Sequence, residues 1–396
     1  MDQATSRPLA AVQLPPGSKM VDALRMAWDD GPALLPLSPS LPERELARLL
    51  HELRPATLMR SGATTALDGA RPVDPEVAIV IATSGSTGAP RGVELTRTAL
   101  EASARAGLAR LGEAPEDRWL CCLPASSVGG LQVLIRSLLK DTPPVLVPRF
   151  TPAALASAEP ATHVALVPTM LSRLLDAGVD LSRFRRILLG GAPAPTPLLT
   201  RARSAGARIT VTYGMTETAG GCVYDGQPLD GVEVEVDGEG EGAGRIRIRG
   251  PVLCRGYRTP DGRVRPEIRE GWLHTSDLGR IGGDGRLEVL GRRDDVIVTG
   301  GVNVATARVA ALLTEHPGVA EAEVLGRPDP EWGELLVAVI VPAQRKAAPD
   351  LAAVRGFLAD RATPPELPRE LVVLDRLPLL TSGKVDRLAL RERVRR

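Results

Sequence analysis

The chain has 396 residues, of which 43% are hydrophobic and 24% charged, and its formal net charge is +1. That length supports a sizeable core in two or three domains, and the balanced charge argues against a nucleic-acid partner or a charged membrane surface. Aromatic residues make up only 3%, too few for a base-stacking platform, and no apolar stretch approaches transmembrane length.

Met1-Asp2-Gln3-Ala4 lacks the charged region and apolar core of a signal peptide, so a cytoplasmic protein is expected. Residues 1 to about 75 are Pro-rich and carry two helical patterns, one of them Glu43–Leu50. The run Val77–Ile81 then reads as a buried strand. It leads into Ala82–Val93, a stretch rich in hydroxyls and glycines with one fixed positive charge, Arg91. Such a loop offers backbone N–H groups and hydroxyl donors to a polyphosphate with nothing bulky in the way. No Gly-Lys-Ser/Thr follows at Walker A spacing. A Ser/Gly linker has a similar composition, but a linker rarely leaves a β-branched strand and runs into helix-forming sequence.

Strand patterns at Trp119–Leu123, Val145–Val147, Val164–Val167, Ile187–Leu189 and Ile209–Thr212 alternate with helical ones such as Leu131–Leu139 and Met170–Leu175. The alternation predicts an α/β core of parallel strands covered by helices. From about Val232 the period becomes two. Val232–Val236 and Arg245–Arg249, joined by the acidic, Gly-rich Asp237–Gly244, predict an antiparallel hairpin in a small β region. Beyond Arg292–Asp295 a small α+β domain is expected, with a helix near Ala305–Glu315 and a strand at Leu335–Val341. Arg391–Arg396 reads as a solvated helix end. Cys121, Cys122, Cys222 and Cys254 have no CxxC spacing and are expected as buried free thiols. The four histidines make no metal motif.

Two further segments have the composition of a site. Arg186–Pro193 is a strand ending in Gly190-Gly191-Ala192-Pro193, and ligands of open α/β sheets bind at such carboxyl ends. In Ile209–Thr218 a strand is followed by Tyr213, Gly214, Thr216 and Glu217. The aromatic can stack on a base, the hydroxyls can meet phosphate, and the carboxylate can hold a hard cation. A carboxylate capping a helix N-terminus accounts for Glu217 equally well on this segment alone.

Taken together, Thr83–Val93, Tyr213–Thr218, Gly271–Asp277, Gly291–Asp295 and Thr381–Arg387 resemble, in order, the motifs of the adenylate-forming superfamily of acyl-CoA synthetases, peptide-synthetase adenylation domains and luciferases. The resemblance runs from about residue 35 to the end. It implies a large N-terminal domain, residues 1–293, of αβ-sandwich subdomains plus a small β region, and a small mobile α+β lid, residues 294–396, hinged at Asp294. It implies that Thr83, Ser84, Gly85, Ser86, Thr87, Gly88 and Arg91 wrap the β- and γ-phosphates of ATP. Gly191, Ala192 and Pro193 would hold the adenine with Tyr213 and Gly214. Thr216 would touch the α-phosphate and Glu217 would hold Mg²⁺. Asp277 would meet the ribose hydroxyls with Arg292 nearby, and Lys384 would reach the α-phosphate and the substrate carboxylate. Seen in isolation, Lys384 is an exposed lysine in a Ser-Gly turn. Gly300 and Gly301 would serve the coenzyme A step after the lid rotates.

The chain departs from the family pattern in places. Arg91 stands where lysine is usual, and Thr306 and Arg308 stand where proline and glutamate are common. Only 82 residues precede the phosphate loop, so the N-terminal subdomain is expected to be truncated.

A second resemblance, over Tyr213–Val232 and Leu123–Leu138, is to the short actinobacterial o-succinylbenzoate–CoA ligases of menaquinone biosynthesis. It implies substrate contacts from Ser126, Ser127, Arg136, Gly220 and Gly221, the glycines leaving floor space for an aryl ring and Arg136 meeting the carboxylate that does not react. A helix-surface salt bridge is the other reading of Arg136. Ser126 and Ser127 replace the usual histidine, which keeps a different acid open. The implied activity is an ATP- and Mg²⁺-dependent acid–CoA ligase. The alternatives are a ligase for another aryl or medium-chain acid, a carrier-protein adenylating enzyme, and a silent nucleotide-binding homologue. A homodimer is a further expectation of the family.

Overall fold

The structure is a computed structural model that describes residues 6–61, 63–84, 90–237, 243–259, 264–265, 268–299, 302–344, 347–380 and 383–394. The chain divides into two compact units. One comprises Met1–Ala192, Ala202–Val234 and Ile248–His274; the other comprises Pro193–Arg201, Glu235–Arg247 and Thr275–Arg396. This division, one of packing, falls ahead of the hinge expected at Asp294.

The chain opens with β1 (Leu9–Val12), α1 (Ser18–Trp28), β2 (Ala33–Pro36), α2 (Glu43–Leu53), β3 (Thr57–Arg60) and β4 (Ala63–Ala66). Next come β5 (Val77–Ser84), β6 (Pro90–Thr96), α3 (Arg97–Leu111), β7 (Trp119–Cys121), α4 (Val128–Leu139) and β8 (Val145–Leu146). They are followed by α5 (Pro152–Ala156), β9 (His163–Leu166), α6 (Pro168–Asp176), β10 (Arg186–Leu189), α7 (Thr196–Ser204), β11 (Ile209–Met215), β12 (Gly220–Tyr224) and β13 (Gln227–Pro228). Short strands then dominate: β14 (Glu233–Val236), β15 (Gly244–Arg249), β16 (Gly256–Arg258), β17 (Val264–Arg265), β18 (Ile268–Arg269) and β19 (Trp272–Ile281).

An eight-stranded sheet runs β17-β16-β6-β5-β2-β1-β3-β4. Its middle is parallel, with β2 beside β1 and β5, and β5 turns back antiparallel into β6. The loop expected to lead from strand to helix therefore joins two strands, and α3 begins only after β6. The N-terminal segment also supplies strands as well as its two helices. On α2, Leu46, Leu49 and Leu53 share one stripe and pack with Leu9, Leu35 and Val77 under this sheet.

The seven-stranded sheet runs β13-β12-β11-β10-β9-β7-β8. From β8 to β11 it is parallel, and its strands are short apolar runs, as doubly covered strands must be. β12 then pairs antiparallel with β11. Caps fix the helices that follow the strands: Thr96 accepts from Ala99 N–H at 3.1 Å and Ser127 from Gly130 N–H at 3.4 Å. β14 and β15 are the expected period-two strands; residues 238–242 between them lie outside the described residues. All four cysteines are free and buried.

In the other unit follow β20 (Leu287–Arg292), β21 (Val296–Thr299), β22 (Val302–Ala305), α8 (Thr306–Thr314), β23 (Val319–Asp329), β24 (Gly333–Pro342), α9 (Leu351–Leu358), β25 (Glu370–Val373) and α10 (Arg387–Val394). The expected strand at 335–341 is β24. Its alternation covers both faces: Leu336 and Ala338 pack with α8 and α9, while Val337, Val339 and Val341 pack with α10.

Candidate active site

The turn between β11 and β12 lies at the carboxyl end of the parallel strands, where α/β sheets bind ligands. It comprises Thr216–Thr218 and Ala219, which sits in the left-handed region at φ 51°. Buried Thr218 closes it, accepting from Met215 N–H at 2.9 Å and donating to Gly220 O at 2.7 Å. Gly214 lies so close to β12 that a Cβ there would come within 2.1 Å of Gly220 O. From α4, the buried amide of Gln132 donates to Ala219 O at 2.6 Å and to Leu100 O at 3.3 Å. The turn is thereby tied to both α3 and α4.

This turn carries Glu217. Tyr257 on β16 donates its hydroxyl to Glu217 Oε1 at 2.7 Å. Cys254 N–H, three residues earlier, donates to the Glu217 backbone carbonyl at 2.7 Å. Arg91 on β6 brings Nη2 to 3.7 Å from Oε1 and lays its guanidinium over the Tyr257 ring, 3.9 Å from the centroid. The carboxylate is thus fixed through both backbone and side chain. Burial, and next the Glu217 charge, push the Tyr257 phenol well above its usual range and the Cys254 thiol up to about 12. Tyr257 therefore stays a hydrogen-bond donor throughout the working pH range.

Thr83 and Arg91 are cross-strand partners on β5 and β6. Gly92 next to them is required, since a Cβ would meet Val80 Cγ1 at 2.6 Å. Gly85, Ser86, Thr87, Gly88 and the side chain of Ser84 lie outside the described residues. Gly191, at φ 81°, and Ala192 form an exposed turn after β10. Tyr213 and Gly214 sit on the neighbouring β11, so this part of the expected adenine site shares one sheet edge with Glu217.

The residues expected to meet the acid are placed differently from one another. Ser126 is half-buried. Ser127 Oγ donates to Pro124 O at 2.8 Å and caps α4. Arg136 is neither on a helix surface nor open to solvent. It is 3% exposed, donates to Tyr224 Oη at 3.1 Å and lies 4.9 Å from the Trp119 ring centre. The run Gly130–Ser137 of α4 is buried throughout, so the helix's one arginine faces the core. Gly220 does not open onto free space. It adopts φ 121°, and a Cβ there would meet Gln132 Cγ at 3.0 Å; one on Gly221 would meet Tyr224 Cε1 at 3.0 Å. Close packing, rather than a floor for a ring, accounts for both glycines.

In the other unit Asp277 and Arg292 stand opposite each other on β19 and β20, with Nε 3.6 Å from Oδ1. Lys384 is exposed in a tight turn, its carbonyl accepting from Leu380 N–H at 2.8 Å and Gly383 sitting at φ 80°. The side chain of Asp294, together with Gly300 and Gly301, lies outside the described residues. Thr306 and Arg308, the departures noted in the sequence, have local partners: Thr306 donates to Asp295 O at 2.8 Å and Arg308 to Glu366 Oε1 at 2.9 Å.

Among the described residues no group of three or more His, Cys, Asp or Glu could hold a metal ion. Glu217 is a single, well-oriented carboxylate. That donor set fits Mg²⁺ carried on a polyphosphate, which needs one or two protein carboxylates, and does not fit a free-standing all-protein site. Sequence reasoning missed Tyr257, Gln132 and Cys254. Tyr257 lay within Arg255-Gly256-Tyr257-Arg258, a stretch with an aromatic but no other signal of chemistry.

Fold and site together define the class: a two-unit α/β enzyme with a carboxylate and a cation at the carboxyl edge of a parallel sheet. The chain belongs to the AMP-binding enzyme family. Residues 65–258 match the AMP-binding enzyme domain and residues 308–384 the AMP-binding enzyme C-terminal domain. It is 41% identical over 333 residues to a "probable 2-succinylbenzoate–CoA ligase" of Mycobacterium tuberculosis, covering 80% of this chain and 85% of that one. Its fold is similar to that of o-succinylbenzoate–CoA synthetase (MenE) from Bacillus subtilis in complex with the acyl-adenylate intermediate. The TM-score is 0.82 at 29% identity, over 97% of this chain and 88% of that one. The same synthetase in complex with ATP and magnesium ion gives a TM-score of 0.81 at 29% identity, over 97% and 89% of the two chains.

Proposed function

We propose that the chain is an ATP- and Mg²⁺-dependent o-succinylbenzoate–CoA ligase of menaquinone biosynthesis, acting in the cytoplasm by way of an acyl-adenylate. The observation that carries the reading is the Glu217 carboxylate, locked by Tyr257 and Cys254 beside Arg91 at the sheet edge, in a chain 41% identical to a relative of that name.

In the first half-reaction an oxygen of the substrate carboxylate attacks the α-phosphorus of ATP and the bond to pyrophosphate breaks. Two anions meet in that step, so positive charge must be in place beforehand. Mg²⁺ bound at Glu217 with the phosphates supplies part of it. Arg91, and Thr83 with its loop, orient the departing pyrophosphate, while Thr216 and Lys384 act at the α-phosphate. Gly191, Ala192, Pro193, Tyr213 and Gly214 hold the base, and Asp277 with Arg292 the ribose. In the second half-reaction the thiolate of coenzyme A attacks the acyl carbon and AMP leaves. Asp294 is the proposed hinge between the half-reactions, and Gly300 and Gly301 serve the second. A homodimer is the expected assembly, to be read by light scattering.

A second reading has a specific basis. Ser127 is committed to its helix cap and Arg136 to Tyr224 and Trp119, which favours another aryl or medium-chain acid. Acid-dependent ATP–pyrophosphate exchange over a panel of carboxylic acids decides. The proposal expects o-succinylbenzoate to give the highest kcat/KM. Preference for another acid moves the assignment to the second reading, and the absence of exchange with every acid overturns both.

A further inference from the structure

We propose that Arg91 is the resident counter-ion of Glu217, and that a cation arriving on a nucleotide replaces it there while its guanidinium passes to the phosphate chain. This deepens the nucleotide-site reading and rests on it.

Three observations carry it. Arg91 Nη2 lies 3.7 Å from Glu217 Oε1, so carboxylate and guanidinium already neutralise each other. The guanidinium is stacked on the Tyr257 ring at 3.9 Å, a contact suited to its flat, delocalised cation rather than to a compact ammonium. The partners also differ in exposure: the Glu217 side chain is 13% exposed and hydrogen-bonded by Tyr257, with its backbone carbonyl held by Cys254 N–H, whereas the Arg91 side chain is 33% exposed. The carboxylate is the fixed member and the arginine the one that can leave.

Charge balance then dictates how the site loads. A bare divalent cation approaching Glu217 meets a carboxylate already paired and must compete with the guanidinium for it. A cation that brings phosphates supplies both exchanges at once: the carboxylate gains the metal and the guanidinium gains an anion in bidentate geometry. Metal and nucleotide must therefore bind with strong mutual reinforcement, and by linkage each raises the affinity of the other by the same factor.

Mn²⁺ serves as the probe, with bound and free ion distinguished by electron paramagnetic resonance on the full chain with and without ATP. The wild type is expected to bind Mn²⁺ weakly alone and tightly with ATP. Arg91→Met, of similar length and without charge, is expected to bind Mn²⁺ alone roughly fivefold or more tighter, and Mn²⁺ with ATP more weakly by a similar factor. Arg91→Lys, which keeps the charge and loses the stacking, is expected to fall between. Adding Glu217→Gln to Arg91→Met is expected to abolish the gained affinity. Normal Mn²⁺–ATP binding by the wild type with an unchanged metal-alone affinity in Arg91→Met overturns the proposal alone, as does a gain that survives Glu217→Gln. Failure of the wild type to bind Mn²⁺–ATP overturns the nucleotide-site reading and the proposal with it.

Discussion

The hydroxyl of Tyr257 donates to Glu217 Oε1 at 2.7 Å across a sequence separation of 40 residues. The two lie on different sheets, Tyr257 on the eight-stranded one and Glu217 on the turn beside β11. The bond joins the edges of both sheets at one carboxylate, and the Cys254 N–H bond to the Glu217 carbonyl repeats the junction through the backbone.

Tyr257→Phe removes that bond and keeps the ring under Arg91. A hydrogen bond to a charged partner contributes about 1.5–3 kcal/mol, so stability is expected to fall by an amount of that order in urea unfolding. The Mg²⁺ concentration for half-maximal pyrophosphate exchange is expected to rise severalfold, with KM for the acid little changed. An unchanged Mg²⁺ requirement would show that Tyr257 does not position the carboxylate.

Gln132→Leu leaves the Ala219 and Leu100 carbonyls without their side-chain donor and loosens the turn that follows Glu217. Stability is expected to drop by about 1–3 kcal/mol, the cost of burying unsatisfied polar groups. The measurement that separates positioning from packing is kcat against KM: a fall in kcat with KM for ATP held implicates the turn, and wild-type kcat contradicts it.

Arg136→Met keeps most of the volume and removes the donor to Tyr224 and the cation over Trp119. Melting temperature is expected to fall while KM for o-succinylbenzoate stays within about twofold of the wild type. A large rise in that KM alone, with stability unchanged, would return Arg136 to the substrate.

His163 is fully buried, 5.0 Å from the Trp119 ring and 3.9 Å from both Asp117 and Glu113. Burial holds its imidazole down to about 4; Asp117 opposes the shift, while Lys140, Arg185 and Arg136 add to it. The unfolded chain takes up that proton near pH 6.5. Between about pH 6.5 and 4 the unfolded state binds more protons, so His163 lowers stability as the pH falls through that window and not above it. His163→Asn is expected to flatten the fall in melting temperature between those limits. An unaltered slope would place the acid sensitivity elsewhere.

Much of the fold was legible where the chain follows simple periods. β5 begins at Val77 and β24 covers 335–341, as expected, because doubly covered strands are continuous apolar runs, and the hairpin strands β14 and β15 obey period two. β1 and β2 escaped notice because each is four residues long and set among prolines. The β5–β6 hairpin escaped because a glycine-rich loop after a strand suggests a helix beyond it, whereas Pro90–Thr96 pairs back onto β5 residue by residue. Of the candidate site, Arg91 stood out as the one fixed charge of its stretch, whereas local composition left Glu217 open to a helix-capping role. Tyr257 was not legible, since its partner is distant in sequence, and neither was the inward turn of Arg136, since one arginine on an apolar helix has no visible partner until Tyr224 and Trp119 are placed beside it.

Product analysis with o-succinylbenzoate, ATP, Mg²⁺ and coenzyme A, following AMP, pyrophosphate and thioester together, decides whether the chain is this ligase. O-succinylbenzoyl-CoA and AMP are expected in equal amounts, with loss of both on Lys384→Ala and retention by that variant of thioester formation from supplied acyl-adenylate. Release of ADP in place of AMP, or no thioester from o-succinylbenzoate while another acid is converted, would contradict that assignment.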